Sequence, residues 1–177
     1  AHGCCDYQYN AHGHLLEEHL QVSGHAPLKT EHHPSLQGRP QRTVEASGLE
    51  TLYHFHDNGL PRGMQQHKLD VNLQYDSLAR LEKITSNDSD NGTTVVTVVE
   101  FDDQDREIKR SWQQSGHPER IQTQLWDLDG LLKERHLYQG AITLLKETFT
   151  YTALGQLLNH HCAGIELPRD SQGRAIT

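Results

Sequence analysis

A seven-residue signature recurs along almost the whole chain, and it restricts the fold more than any other feature. Tyr9-Asn10-Ala11-His12-Gly13-His14-Leu15, Tyr75-Asp76-Ser77-Leu78-Ala79-Arg80-Leu81, Trp126-Asp127-Leu128-Asp129-Gly130-Leu131-Leu132 and Tyr151-Thr152-Ala153-Leu154-Gly155-Gln156-Leu157 share it. The pattern is an aromatic, a short polar residue, two variable positions, Gly, a long side chain and Leu. Looser copies begin at Phe55, Phe101 and Arg169, with a worn copy at Pro34. The eight first positions, 9, 34, 55, 75, 101, 126, 151 and 169, lie 18 to 26 residues apart. Such a period marks a repeat architecture in which each unit is one supersecondary element stacked on the next.

The signature has the mechanics of a β-hairpin. A short polar side chain after a strand accepts a hydrogen bond from the backbone two residues on, and a fifth-position Gly supplies the positive φ that closes the turn. An apolar residue often stands two places before the aromatic, as in Tyr7/Tyr9, Tyr53/Phe55, Leu73/Tyr75, Val99/Phe101 and Phe149/Tyr151. That spacing puts both on one face of a strand. Gln124 before Trp126 and Leu167 before Arg169 depart from it. Ala79 and Asp105 replace the turn Gly, so their hairpins are expected to be less regular. Positive φ is expected at Gly13, Gly59, Gly130, Gly155 and Gly173.

Leu131 to Glu147 and His14 to Leu20 are rich in good helix formers, but Gly130 and Gly140 bracket the first and both follow a turn signature, so strand is the reading. Ser86 to Gly92 reads as a polar loop, and 22–35 as irregular chain. The repeat resumes in phase on both sides of each. Residues 1–177 therefore read as one segment of about eight degenerate hairpin units without a separate domain boundary. The fold class is all-β, an antiparallel β-hairpin repeat ribbon.

Composition removes several functions. Only 34% of the 177 residues are apolar, and no stretch approaches the roughly 20 apolar residues that span a bilayer. Sixteen Lys and Arg against 24 Asp and Glu give a net charge of −8, without a basic cluster that could track a phosphate backbone. Nucleic acid is not an expected partner. Protonating all 14 His would add 14 charges and bring −8 to +6. Three Cys, at 4, 5 and 162, have neither the number nor the spacing of a disulfide framework or a Cys-x-x-Cys site. Ala1 to Asp6 lacks the basic and apolar regions of a signal peptide.

These units resemble the Rhs or YD-repeat proteins, named for the form Tyr-Asp-x-x-Gly-Arg-Leu. Tyr75-Asp76 with Arg80-Leu81 is the best copy, and Gly173-Arg174, Gly38-Arg39 and Trp126-Asp127 are partial ones. The resemblance runs from about Tyr7 to Ile176. It implies a ribbon of antiparallel hairpins that coils into a hollow shell, as in bacterial Rhs effectors, the B and C components of insecticidal toxin complexes, and extracellular teneurins. In the bacterial members the shell holds a toxic C-terminal domain. The implied role is a non-catalytic structural segment, secreted or exported, whose partners are flanking repeats and an enclosed toxin domain. Cut from its neighbours, such a piece is expected to self-associate. The bacterial shells close with a self-cleaving Asp-Pro motif, which this sequence lacks, so an interior piece of a longer shell is expected.

Candidate chemistry is sparse. His12/His14 and His54/His56 have the His-x-His spacing of zinc or copper ligands, and His32-His33, His160-His161-Cys162 and Cys4-Cys5 beside His2 add donors. No acidic or thiol partner recurs at a fixed offset, and His12 and His56 fall in turns, so no metal ligand and no cofactor is assigned. Asp102-Asp103 belongs to a turn, and no Ser or Cys sits in a nucleophile motif. No catalytic residue is assigned, and the chain is not expected to be an enzyme. The alternative function is carbohydrate binding or cell-surface adhesion, with Trp112, Trp126 and the strand tyrosines offering flat faces to a sugar ring; aromatics at strand ends also pack on neighbouring units.

Overall fold

The computed structural model describes residues 3–164, which form fourteen strands and no helix. These are β1 (Gly3–Tyr9), β2 (Leu15–Val22), β3 (Leu28–Pro34), β4 (Pro40–Val44), β5 (Glu50–Phe55), β6 (Pro61–Gln66) and β7 (Leu69–Tyr75). They continue with β8 (Leu81–Asp88), β9 (Thr93–Phe101), β10 (Glu107–Gln114), β11 (Arg120–Trp126), β12 (Leu132–Gln139), β13 (Ile142–Tyr151) and β14 (Leu157–Ala163). Each strand is hydrogen bonded to its neighbours in sequence, so sheet order is chain order. This is the all-β hairpin ribbon that the spacing predicts. The chain divides into two compact units, one running to Leu73 and including Ser86–Gly92, the other holding Gln74–Thr85 and the described residues from Thr93 onward.

Seven of the eight signatures coincide with the connections that lead from an odd-numbered strand to the next even one. The eighth, at Arg169 with Gly173, lies outside the described residues. In all seven turns the second residue's N–H donates to the sixth residue's carbonyl at 2.8–2.9 Å, and the fifth residue's N–H donates to the second's carbonyl at 2.8–3.2 Å. The strand register slips by one residue beside the turn, as between Gln8 and Tyr9 and between Thr150 and Tyr151. A type I turn followed by a left-handed residue that forms a bulge has this geometry, and the added twist is what lets short hairpins follow one another.

The fifth residue carries the left-handed step at φ between 60° and 89° in all seven described copies, including Gly13, Gly59, Gly130 and Gly155. Ala79 at 63° and Asp105 at 60° adopt it too, with the same two backbone bonds. The expectation that these two hairpins are less regular is therefore corrected: the flanking ladder imposes the turn, and the non-glycine residue absorbs the conformational cost. An eighth turn of the same form, Glu45 to Leu49 with Gly48 at 81°, joins β4 to β5. Two boundaries also change. Strand β3 occupies part of the segment read as irregular, and β8 runs to Asp88 into the polar loop.

The stretch from Leu131 to Glu147, whose residues favour a helix in isolation, contains β12 and part of β13, because pairing with flanking strands outweighs local propensity. A single layer leaves little interior. Among the described residues Val99, 5% exposed, is the one buried hydrophobic side chain. Cross-strand pairs take the place of a second layer. One register-aligned row in the second unit runs Val99, Arg110, Gln122, Leu137, Leu145, with two polar residues between apolar ones.

Two substitutions at the fifth position should act with opposite sign. Gly155→Val forces a β-branched residue to φ 75° and should lower stability by about 1–2 kcal/mol. Ala79→Gly should raise it by about 0.5–1 kcal/mol, relief of strain outweighing the added freedom of the unfolded chain. Thermal melts of both variants check the pair; equal midpoints would contradict the turn assignment.

Candidate functional site

The second residue builds each turn from inside. Asp76 Oδ1 accepts from the backbone N–H of Leu78 and of Arg80, both at 2.9 Å. Asp102, Asp127 and Asn10 repeat the arrangement at 2.8–3.0 Å, and the hydroxyls of Ser35 and Thr152 do so at 3.1–3.3 Å. A carboxylate has a second oxygen to use. Asp76 Oδ2 takes Arg80 Nε at 2.7 Å, and Asp102 Oδ2 takes Arg106 Nε at 2.7 Å.

The sixth residue then reaches the following turn. Arg80 donates through Nη1 to the Asp102 carbonyl at 3.1 Å and the Asp105 carboxylate at 2.7 Å, with its guanidinium 4.9 Å from the centre of the Phe101 ring. Arg106 donates to the Asp127 carbonyl at 2.9 Å and lies 5.9 Å from the Trp126 ring centre. In the first unit Arg39 sits 5.9 Å from the Phe55 ring and against Gly59, while His14 lies against Gly38. A Cβ at Gly38 or Gly59 would collide with those side chains, so the fifth Gly serves close approach as well as φ. Asp105, which departs from Gly, meets the incoming arginine with a carboxylate instead. The aromatic returns the contact: Trp126 Nε1 donates to the Glu107 carbonyl and the Tyr151 hydroxyl to the Leu132 carbonyl, each at 2.8 Å and each to the seventh residue of the preceding turn.

These bonds set the electrostatics. The backbone N–H and guanidinium of Arg80 hold the Asp76 carboxyl below its ordinary range, and Arg106 does the same for Asp102, chiefly through the side-chain bond. Arg80 is pushed up in turn by Asp76. Away from the turns, Glu147 on β13 is buried, with Oε2 2.5 Å from Arg135 Nε on β12 and Oε1 3.0 Å from His160 Nε2 on β14. The Arg135 bond keeps its carboxyl below the ordinary range. The His160 ring stacks on Phe149 at 4.7 Å.

The histidines weighed as ligands are dispersed. His12 and His14 have ring centres 6.1 Å apart, but His14 bonds Asn10 within its own turn. His32 pairs with Glu18 at 3.3 Å and His33 with Glu31 at 3.8 Å. Their adjacent positions on β3 alternate between faces. His54 lies on β5 and His56 in the following turn, and His2 lies outside the described residues. Cys4, Cys5 and Cys162 are free and exposed. Among the described residues no three His, Cys, Asp or Glu side chains converge as a metal site. Trp126 is occupied by packing, whereas half-buried Trp112 lines a cavity of about 580 Å³ with Gln114, Arg120, Gln122 and Gln139. The sixth-position link is the feature sequence reasoning missed. Its signal was the recurrence of Arg at 39, 80 and 106, each followed by a unit with an aromatic first residue.

No protein-family model and no curated protein matches the sequence. Solved structures do. Chains in the crystal structures of TcdB2-TccC3-Cdc42 and of TcdB2-TccC3 superimpose on it with TM-scores of 0.73 and 0.68, at 14% and 12% identity, over 85% and 88% of this chain. This is an Rhs/YD-repeat-like fold. The likeness spans 9% and 11% of those longer chains, so an Rhs/YD-repeat-like ribbon here corresponds to a small part of each.

Because the native carboxyls of Asp76, Asp102 and Glu147 lie below their ordinary values, their contribution is present above the ordinary range of 3.8 to 4.5 and is lost as pH falls through the lowered native values. Stability should therefore drop below about pH 4.5. Asp102→Asn should be less stable near neutrality and lose less on acidification, as melts from pH 2 to 7 would show; an unchanged slope would contradict the pairing.

Proposed function

We propose that this chain is a non-catalytic wall segment of an Rhs/YD-repeat shell, exported from its cell, that encloses a toxin or other polymorphic C-terminal domain. The observation that carries the reading is the recurrence of one turn form along the described chain, joined at Arg39, Arg80 and Arg106 to the next turn by a side chain, in a single-layer sheet whose interior is almost absent. Such a sheet has two wet faces and acts by geometry, which explains why polar residues dominate it. Its natural partners are further hairpins of the same pattern. Leu36, Leu128 and Leu154 at the turn tips are 86–97% exposed, apolar side chains that further hairpins of a larger assembly would cover.

The test uses the full-length parent protein and follows protease cleavage of the enclosed domain. Trp126→Ala removes both the ring under Arg106 and the bond to Glu107 and should expose the cargo, whereas His25→Ala in the β2–β3 connection should leave it protected. Equal cleavage in the two variants would overturn the container reading.

Glycan binding has one observation in its favour, the Trp112 cavity, where an apolar ring adjoins amide and guanidinium donors. A glycan panel titrated against the wild type and Trp112→Ala separates the readings: binding lost in the variant supports it, and no binding by the wild type removes it.

A further inference from the structure

One turn keeps the acid of the repeat but lacks its base. Asp127 stands at the second position, as Asp76 and Asp102 do in their turns, yet the sixth residue is Leu131 where they have Arg80 and Arg106. Asp127 Oδ1 is used as in the other turns, accepting from Asp129 and Leu131 at 3.0 and 2.8 Å. In the two complete turns Oδ2 takes an arginine Nε, and the same guanidinium bonds the second carbonyl of the next turn over the next aromatic ring. The corresponding next turn here begins Tyr151-Thr152. Leu131 reaches it only by contact, lying 3.9 Å from where a Cβ of Gly155 would be.

A cavity of about 580 Å³ occupies this place. Asp127, Asp129, Leu131, Tyr151 and Thr152 are among its walls. They are the residues at the same positions as those that surround Arg80 and Arg106: the acid of the preceding turn, the aromatic first residue, and the second residue of the following turn. Lys133 also lines the cavity, but its side chain is exposed and makes no ion pair with Asp127.

We propose that the Asp127–Tyr151–Thr152 cavity is a receptor for a guanidinium group, supplied by an arginine side chain of another polypeptide segment. The chemistry follows the chain's own precedent. A planar guanidinium donates in fixed directions, so one group can bond a carboxylate and a carbonyl while its face rests on a ring, which an ammonium cannot reproduce. Leu131 brings no hydrogen-bond donor to the place that the in-chain arginine takes in the other turns. The receptor requires only the repeat geometry and is independent of whether the ribbon encloses a cargo.

The probe is N-acetyl-arginine methylamide titrated into the whole chain and followed by amide NMR, with the neutral isostere N-acetyl-citrulline methylamide as control. The arginine compound should produce saturable shifts at Asp127, Tyr151 and Thr152, and the citrulline compound none. Asp127→Asn should abolish the response. Leu131→Arg should also abolish it by filling the cavity from within, and should raise the melting temperature by restoring the link made at the other two turns. Equal shifts with citrulline, a response that survives Leu131→Arg in a folded protein, or no response in the wild type would each overturn the proposal.

Discussion

At Arg80 and Arg106 the sixth side chain of the signature belongs to two turns at once, and the placing of the following hairpin depends on that sharing. Arg106 closes its own turn through Asp102 and then grips the next one at Asp127 and Trp126. A single-layer sheet has no second layer to hold its hairpins in place, and ladder hydrogen bonds alone are compatible with slippage by two residues. A charged group that must reach a particular carbonyl, over a particular ring, fixes which hairpin follows and in what register. The return bond from Trp126 or Tyr151 to the seventh residue closes the arrangement from the other side.

The fifth position shows how strongly the ladder governs the local chain. Gly accepts the left-handed conformation without strain and admits the arriving side chain, as at Gly38 and Gly59. Ala79 and Asp105 accept the same conformation because bulges and flanking pairs leave no alternative, and Asp105 offsets part of that strain with its ion pair to Arg80. Degeneracy in the sequence is thus not degeneracy in the structure. A repeat that tolerates Ala, Asp, Leu or His at its signature positions can diverge far while the ribbon persists, which agrees with a close structural likeness at 12–14% identity.

The turns were legible in the sequence because they are local: an Asx-type acceptor, a left-handed residue and alternating strands are all encoded within seven neighbours. The strand identity of Leu131 to Glu147 was legible only through the brackets of Gly130 and Gly140, since its residues favour helix. What escaped was non-local or unsigned. The Glu45 to Leu49 turn begins with Val44, which lacks the aromatic that labels the others. Strand β3, with two adjacent His and a terminal Pro, carries little alternation, and its pairing with β2 and β4 decides it. The Arg135–Glu147–His160 cluster joins three strands, and no spacing announces it. The arginine link needed only the comparison of successive units, since each Arg precedes an aromatic by a near-constant 16 to 21 residues.

Arg106 couples its own repeat to the next. A double-mutant cycle between Arg106→Met and Trp126→Leu measures it most directly, with stability taken from denaturant melts of the two single variants and the double variant. Methionine keeps the stem of Arg106 and removes its charge, so packing is largely retained while the link is broken. If the two turns are coupled, the two losses fall short of additive in the double variant, with a coupling energy above about 0.5 kcal/mol, the range of residues in direct contact. Additivity within about 0.3 kcal/mol would contradict it, because the two turns would then be held independently.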